Sequence, residues 1–174
     1  MKTRDLSIQA MLLAVAIILA YIEMMLPTLV PLPGIKAGLP NIAILICLYW
    51  LGRRKALTVS LLRILIIALF TGTWLGPGFY VSLTGALLAL AILSALRDSR
   101  LTPIGLSVLG ASFHNLGQLL AAAALLGTTQ VLWLLPWFLL GSIPLGIVTG
   151  IPAQILRNRN IFPQKPDKIA TISG

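Results

Sequence analysis

Charge is what this sequence has least of. Only 10% of its 174 residues are charged, against about 25% in soluble domains. That is too little to cover a water-facing surface. Acids are the scarcest: Asp5, Glu23, Asp98 and Asp167 are the only four. The single cysteine, Cys47, lies in an apolar run, which excludes an intrachain disulfide and a paired-cysteine metal site. The single histidine, His114, has no Cys, Asp or Glu near it in sequence and makes a poor metal ligand set, so no metal is expected. There is no G-x-x-x-x-G-K-S/T run to cradle ATP phosphates. The aspartates are isolated in tails and loops, so they cannot jointly hold magnesium against a diphosphate. Ser112 and His114 stand two apart on one predicted helix and face different ways, which argues against a serine hydrolase. These absences exclude a soluble enzyme, a secreted disulfide scaffold and a disordered tail. They also imply no cofactor, and binding rather than bond-breaking.

What is present is apolar: 58% of the residues are hydrophobic, with a mean hydropathy of +0.99. A bilayer core about 30 Å thick needs roughly 20 largely apolar residues per helix. Six such runs occur, at about 7–27, 36–52, 55–72, 79–96, 103–126 and 130–156. They predict an all-α, polytopic bundle: one six-span membrane domain over 1–156 and a short cytoplasmic tail over 157–174. No room is left for a second, soluble domain. The first run is polar at its far end (Tyr21, Glu23) and no small-residue cleavage site follows it, so it reads as a retained helix rather than a signal peptide.

A net charge of +9 would suggest nucleic acid in a soluble protein. Here its placement matters more. Lys2, Arg4, Arg53, Arg54, Lys55, Arg97, Arg100, Arg157, Arg159, Lys165 and Lys168 fall on alternate loops and the tails. Of the two remaining cations, Lys36 sits at an opposite boundary and Arg63 inside a span. The positive-inside rule then puts both termini in the cytoplasm, with the plasma membrane as the location and no nucleic-acid partner. Two outward loops, 28–40 and 71–79, are neutral and rich in Pro and Gly. They are either lids over the bundle mouth or ordinary turns.

Polar side chains within spans are costly, around 2.5–3.5 kcal/mol for a charge at a helix centre on insertion scales. Arg63 stands near the middle of the third run, and His114, Asn115 and Gln118 at or past the middle of the fifth. Glu23, Lys36 and Asn41 lie at the outer ends of the first two. All share the middle or outer half of the bilayer. Ser107, Ala111, His114 and Gln118 form one small or polar helical stripe, and Ser60, Arg63 and Ile67 a weaker one. Two readings follow. In one, these faces line a pocket whose permanent cation, Arg63, takes an anionic or carboxylate-bearing ligand. In the other, Arg63 pairs with Glu23, while His114 and Gln118 hydrogen-bond across helices. Gly34, Gly38 and Pro40 suggest a helix start whose N–H groups face the pocket.

Small residues recur four apart at Ala10 and Ala14, Ala16 and Ala20, and Gly146 and Gly150. Such spacing lets membrane helices approach closely, within the bundle or against a partner. Pro136, Pro144 and Pro152 should kink the last span.

The stretches GIKAGLPNIAILICLYWLG, SLLRILIIALFTGTWLGPGFYVSLTGALLAL and PIGLSVLGASFHNLGQLLAA resemble the Gx transporter family. Its members are often labelled heptaprenyl diphosphate synthase component I, and it is similar to the S components of energy-coupling factor (ECF) transporters. The resemblance covers roughly residues 34–126. It implies a six-helix fold with cytoplasmic termini, an outward-facing site and no catalysis. It also implies a partner: a transmembrane coupling protein with two ATPase subunits, touched by an AxxxA motif that Ala10 and Ala14 match. The expected function is capture of a small anionic or amphiphilic metabolite, a vitamin or a quinone or isoprenoid precursor. Arg63, His114, Asn115, Gln118, Lys36, Asn41 and Glu23 are the expected binding residues. The alternative is a noncatalytic membrane subunit of heptaprenyl diphosphate or quinone synthesis, and a third reading is a scaffold without ligand.

Overall fold

The computed structural model describes residues 3–25 and 38–161. Among them are six α-helices: α1 (Thr3–Met25), α2 (Asn41–Leu51), α3 (Arg53–Phe70), α4 (Pro77–Leu96), α5 (Pro103–Leu126) and α6 (Leu135–Asn158). A 3-10 turn, Gln130–Leu134, leads into α6. Proline opens α4 and α5, where its missing N–H removes nothing the helix needs. Thr102 caps α5 by accepting a hydrogen bond from Gly105 N at 3.1 Å. Only Gly52 separates α2 from α3. Its φ of +92° is open to glycine and strained for other residues.

Four segments are long and apolar enough to cross a membrane: α1, α4, α5 and the continuous stretch Gln130–Asn158. Two expected spans differ from that pattern. Described from Asn41, α2 has 11 residues, about 16 Å of helix at 1.5 Å per residue. The third, α3, carries Arg53, Arg54, Lys55 and Arg63 among its 18 residues. The outer walls are apolar: Trp133 and Trp137 are 83% and 72% exposed, and Leu140, Val148 and Ile155 are exposed on α6. A continuous surface of that kind belongs against lipid.

Short as it is, α2 is the central element, packing on α1, α3, α5 and α6. Its Ala43, Ile44, Leu45, Cys47 and Leu48 are buried in one cluster with Leu12 of α1, Val59 of α3, Leu93 of α4, Leu106 of α5 and Ala153 of α6. Around it, α1 packs on α3, α3 on α4, α4 on α5 and α5 on α6. One end gathers the charges. Lys55 pairs with Asp5 at 2.9 Å and Arg53 with Asp98 at 3.5 Å. At the same end Arg97 donates to the Tyr49 carbonyl at 3.1 Å and Arg157 to the Leu101 carbonyl at 3.3 Å. The Arg97 contact sets a cation against the carbonyl end of α2.

Glycine sets the helix spacing on both sides of α5. A Cβ at Gly146 would lie 2.4 Å from Val108 Cα, and one at Gly150 would lie 2.7 Å from Ile104 Cα. The paired glycines of α6 therefore serve contact within the bundle, one of their two expected uses. Opposite, a Cβ at Gly117 would meet Gly85 Cα at 2.9 Å. On α1 the alanines divide. Ala16 and Ala20 are buried, whereas Ala10 and Ala14 lie on the exposed face. Helix α6 runs unbroken through Pro144 and Pro152, as membrane helices allow where neighbours or Ser/Thr side chains take up freed backbone groups.

Gly146→Val should push α5 and α6 apart and lower stability in detergent by about 1–3 kcal/mol, the usual cost of overpacking. Gly141→Ala should leave it unchanged, because nothing lies within 4 Å of the added carbon. Thermal unfolding of the two variants checks this, and equal midpoints would refute the close-packing account.

Candidate functional site

The polar cluster forms where α1, α3, α4 and α5 meet the start of α2, at the end of the bundle opposite the Lys55–Asp5 and Arg53–Asp98 pairs. On α3 the buried face runs Val59, Ser60, Arg63, Ile64 and Ile67, so helical periodicity alone turns Arg63 inward. On α5 the inward face carries Ser107, Gly110, Ala111, His114, Gly117 and Gln118. Arg63 is 7% exposed, Glu23 6%, His114 4% and Gln118 1%.

Backbone builds two of the walls around His114. A Cβ at Gly85 of α4 would lie 3.2 Å from His114 Cε1 and 2.8 Å from Gln118 Cγ. On another side a Cβ at Gly38 would lie 3.7 Å from His114 Cδ2. Gly38 itself has φ +88°, which again suits only glycine without strain. A side chain at Gly85 would therefore crowd the imidazole, whereas one at Gly38 would only touch it and would crowd Asn41 Nδ2, at 3.0 Å.

Glu23 reaches across to the same turn. Its Oε1 accepts hydrogen bonds from the backbone N–H groups of Gly38 and of Leu39, the latter at 3.0 Å. These donors lie just before Asn41, the first residue of α2. A carboxylate there also suits the positive end of the helix dipole. The helix start that the sequence offers to an external anion is thus held, in this structure, by the chain's own carboxylate.

Glu23, Arg63 and His114 make one electrostatic group: Arg63 feels the Glu23 carboxylate, and His114 feels the Arg63 guanidinium. Arg63 Nε and His114 Nδ1 are buried and have no hydrogen-bond partner among the described residues. Each is an uncommon state, since buried polar atoms are nearly always partnered.

The remaining expected site residues are placed differently. Asn41 is half-buried and borders a cavity. Asn115 turns to α6, where its Nδ2 donates to Ser142 Oγ at 2.9 Å and to the Phe138 carbonyl at 3.2 Å. Lys36 lies outside the described residues, as does most of the 28–40 loop. The cavity, about 10 Å³, is lined by Gly38, Asn41, Ser107, Gly110, Ala111 and Thr149, with Leu45 and Leu93 completing it. That admits about one water, whereas sites for small molecules occupy roughly 300–1,000 Å³.

Sequence reasoning missed Ser142 and Thr149. Both are buried on α6, and Thr149 Oγ1 lies 2.8 Å from Ser107 Oγ. Their signal was available: they stand seven apart, on the face that carries Gly146 and Gly150.

Apolar helices long enough to cross a bilayer, apolar outer walls and an ionisable cluster sealed inside define a polytopic helical membrane protein. More specifically, the chain belongs to the heptaprenyl diphosphate synthase component I family, whose model matches residues 12–156. Neither a curated protein nor a solved structure matches the chain.

A double-mutant cycle on Asn115→Ala and Ser142→Ala should give a coupling of about 0.6 kcal/mol and no more than about 1.7, the span measured for hydrogen bonds between membrane helices. Additive losses of stability in detergent would mean that this contact does not join α5 to α6.

Proposed function

We propose that this protein is the substrate-binding S component of an ECF-type importer. It captures a small anionic or amphiphilic metabolite, a vitamin or a quinone or isoprenoid precursor, from the outer side of the plasma membrane. One observation carries the reading: a guanidinium and an imidazole lie within electrostatic reach of each other inside an apolar bundle, each with a buried nitrogen unpartnered among the described residues. Ionisable groups at membrane depth are by default functional, because hydrocarbon gives them no solvent. In this reading all six helices cross the bilayer, and the cation-rich end of the bundle faces the cytoplasm together with both termini. Arg63 pairs the carboxylate or phosphate, assisted by Lys36. His114, Gln118 and Asn41 orient the rest of the ligand, and Asn115 holds α6 behind them. Glu23 completes the set.

The chain does no bond-breaking in this reading, and energy comes from partners: a transmembrane coupling protein and its two ATPase subunits. The exposed Ala10 and Ala14 face of α1 supports docking there, since small residues let helices approach closely. A second reading is favoured by the family to which the chain belongs. In it the protein is a noncatalytic membrane subunit associated with heptaprenyl diphosphate synthesis, and the polar cluster serves that assembly.

Mass spectrometry of small molecules that co-purify in detergent tests the capture of a ligand. Arg63→Ala should lose an anionic compound that the wild-type protein retains, by tenfold or more. An identical small-molecule profile in a folded variant would remove the proposal. Affinity purification tests the partner. Ala10→Leu with Ala14→Leu should release the coupling protein and spare the small molecule. Recovery of a soluble prenyltransferase in place of a coupling protein would favour the second reading.

A further inference from the structure

The end of the bundle opposite the polar cluster carries more positive charge than the chain itself balances there. The described ends of α1, α3, α4 and α6 bring together eight arginines and lysines, against two carboxylates, Asp5 and Asp98. However those two are shared among the cations, six positive charges remain in excess. The contacts Lys55–Asp5, Arg53–Asp98, Arg97 to Tyr49 O and Arg157 to Leu101 O tie these helix ends to one another.

Where α2, α4 and α6 end, two guanidiniums are anchored by backbone carbonyls. Arg97 Nη2 donates to Tyr49 O at 3.1 Å, and Arg157 Nη1 donates to Leu101 O at 3.3 Å. A carbonyl fixes a guanidinium in place without neutralising it, and each guanidinium has five N–H donors to share. Both lie within electrostatic reach of the Tyr49 phenol, which puts them at one junction. Gly52 leaves that junction open, because even an added Cβ there would stand 3.6 Å from Arg97 Nη1. The neighbouring Arg53–Asp98 pair is 3.5 Å apart with side chains 55% and 50% exposed, the kind of ion pair that holds weakly. Exposed apolar side chains border the same place: Leu101, whose carbonyl Arg157 holds, and Ile155 and Ile161, which flank Arg157 in sequence.

We propose that this junction binds the phosphate headgroup of an anionic phospholipid, with Arg97 and Arg157 as its two fixed cations. Guanidinium forks match phosphate oxygens in both geometry and charge, and basic pockets between membrane helices take such headgroups. The apolar border decides between sources of phosphate. A free phosphate would use the cations and leave Leu101, Ile155 and Ile161 in water, whereas a lipid covers them with its glycerol and upper chains. A headgroup held by Arg97 and Arg157 also ties α4 to α6, which otherwise meet chiefly through α5. Binding therefore stabilises the bundle, whatever occupies the polar cluster at the other end.

Thermal unfolding of the full-length protein in a neutral detergent tests this. Phosphatidylglycerol should raise the midpoint saturably by several degrees, and phosphatidylcholine, which carries no net charge, should not. Inorganic phosphate at matched concentration should do far less; stabilisation equal to that by the lipid would overturn the choice of a lipid. Arg97→Gln with Arg157→Gln should lose the response to phosphatidylglycerol. Arg4→Gln with Arg54→Gln, which removes as many charges from α1 and α3, should keep it. A wild-type protein that ignores phosphatidylglycerol would overturn the proposal. So would equal losses in the two double variants, because the attraction would then be spread over the whole end of the bundle. If Arg97→Gln with Arg157→Gln fails to accumulate, Arg100→Glu adds a carboxylate beside Leu101 and removes neither anchor. It should weaken the response, and a response equal to that of wild type would overturn the site.

Discussion

A guanidinium buried in an apolar bundle has no water to turn to, and this part of the protein is arranged around that constraint. A charge at such depth persists only when paired, hydrogen-bonded or open to a cavity. Arg63 answers with the Glu23 carboxylate as its electrostatic neighbour. That carboxylate in turn holds the N–H groups of Gly38 and Leu39, which fixes where α2 begins. The position of α2 decides the rest, because it packs on four of the other five helices. Electrostatics at one residue and the geometry of the bundle are thus one problem.

The second support is dispersion between closely packed backbones. Hydrophobic association adds little between helices already surrounded by lipid tails, so contact area and fit must hold the bundle together. Here α5 is the spine. It meets α4 through Gly85 and Gly117, and α6 through Gly146 and Gly150. Hydrogen bonds from Asn115 and Ser107 reinforce the α6 side. His114 and Gln118 therefore stand on a rigid helix, whereas Glu23 and the start of α2 are joined to that spine by far fewer close contacts.

Much of this was legible in the chain. Helices α4 and α5 begin at the prolines and end where the apolar runs end, because turn chemistry and hydropathy act locally. The inward turn of Arg63, His114 and Gln118 followed from the 3.6-residue repeat. Adjacent to His114 in sequence, Asn115 lies about 100° around the helix and faces α6. Ser142 and Thr149 escaped notice because hydroxyls returning bonds to their own helix blend into an apolar run.

By itself, the sequence determined that the protein lives in lipid, which residues are too polar for it, and which end of each helix carries the cations. Those properties depend on composition and on periods of a few residues. Only the tertiary structure decided what the polar groups do for one another. That Glu23 of α1 holds the backbone of residues 38 and 39, that Gly85 lies against His114, and that the glycines of α6 meet α5 are contacts between segments far apart in the chain. No local pattern encodes such distances. They arise when six helices of unequal length must bury the same few charges together.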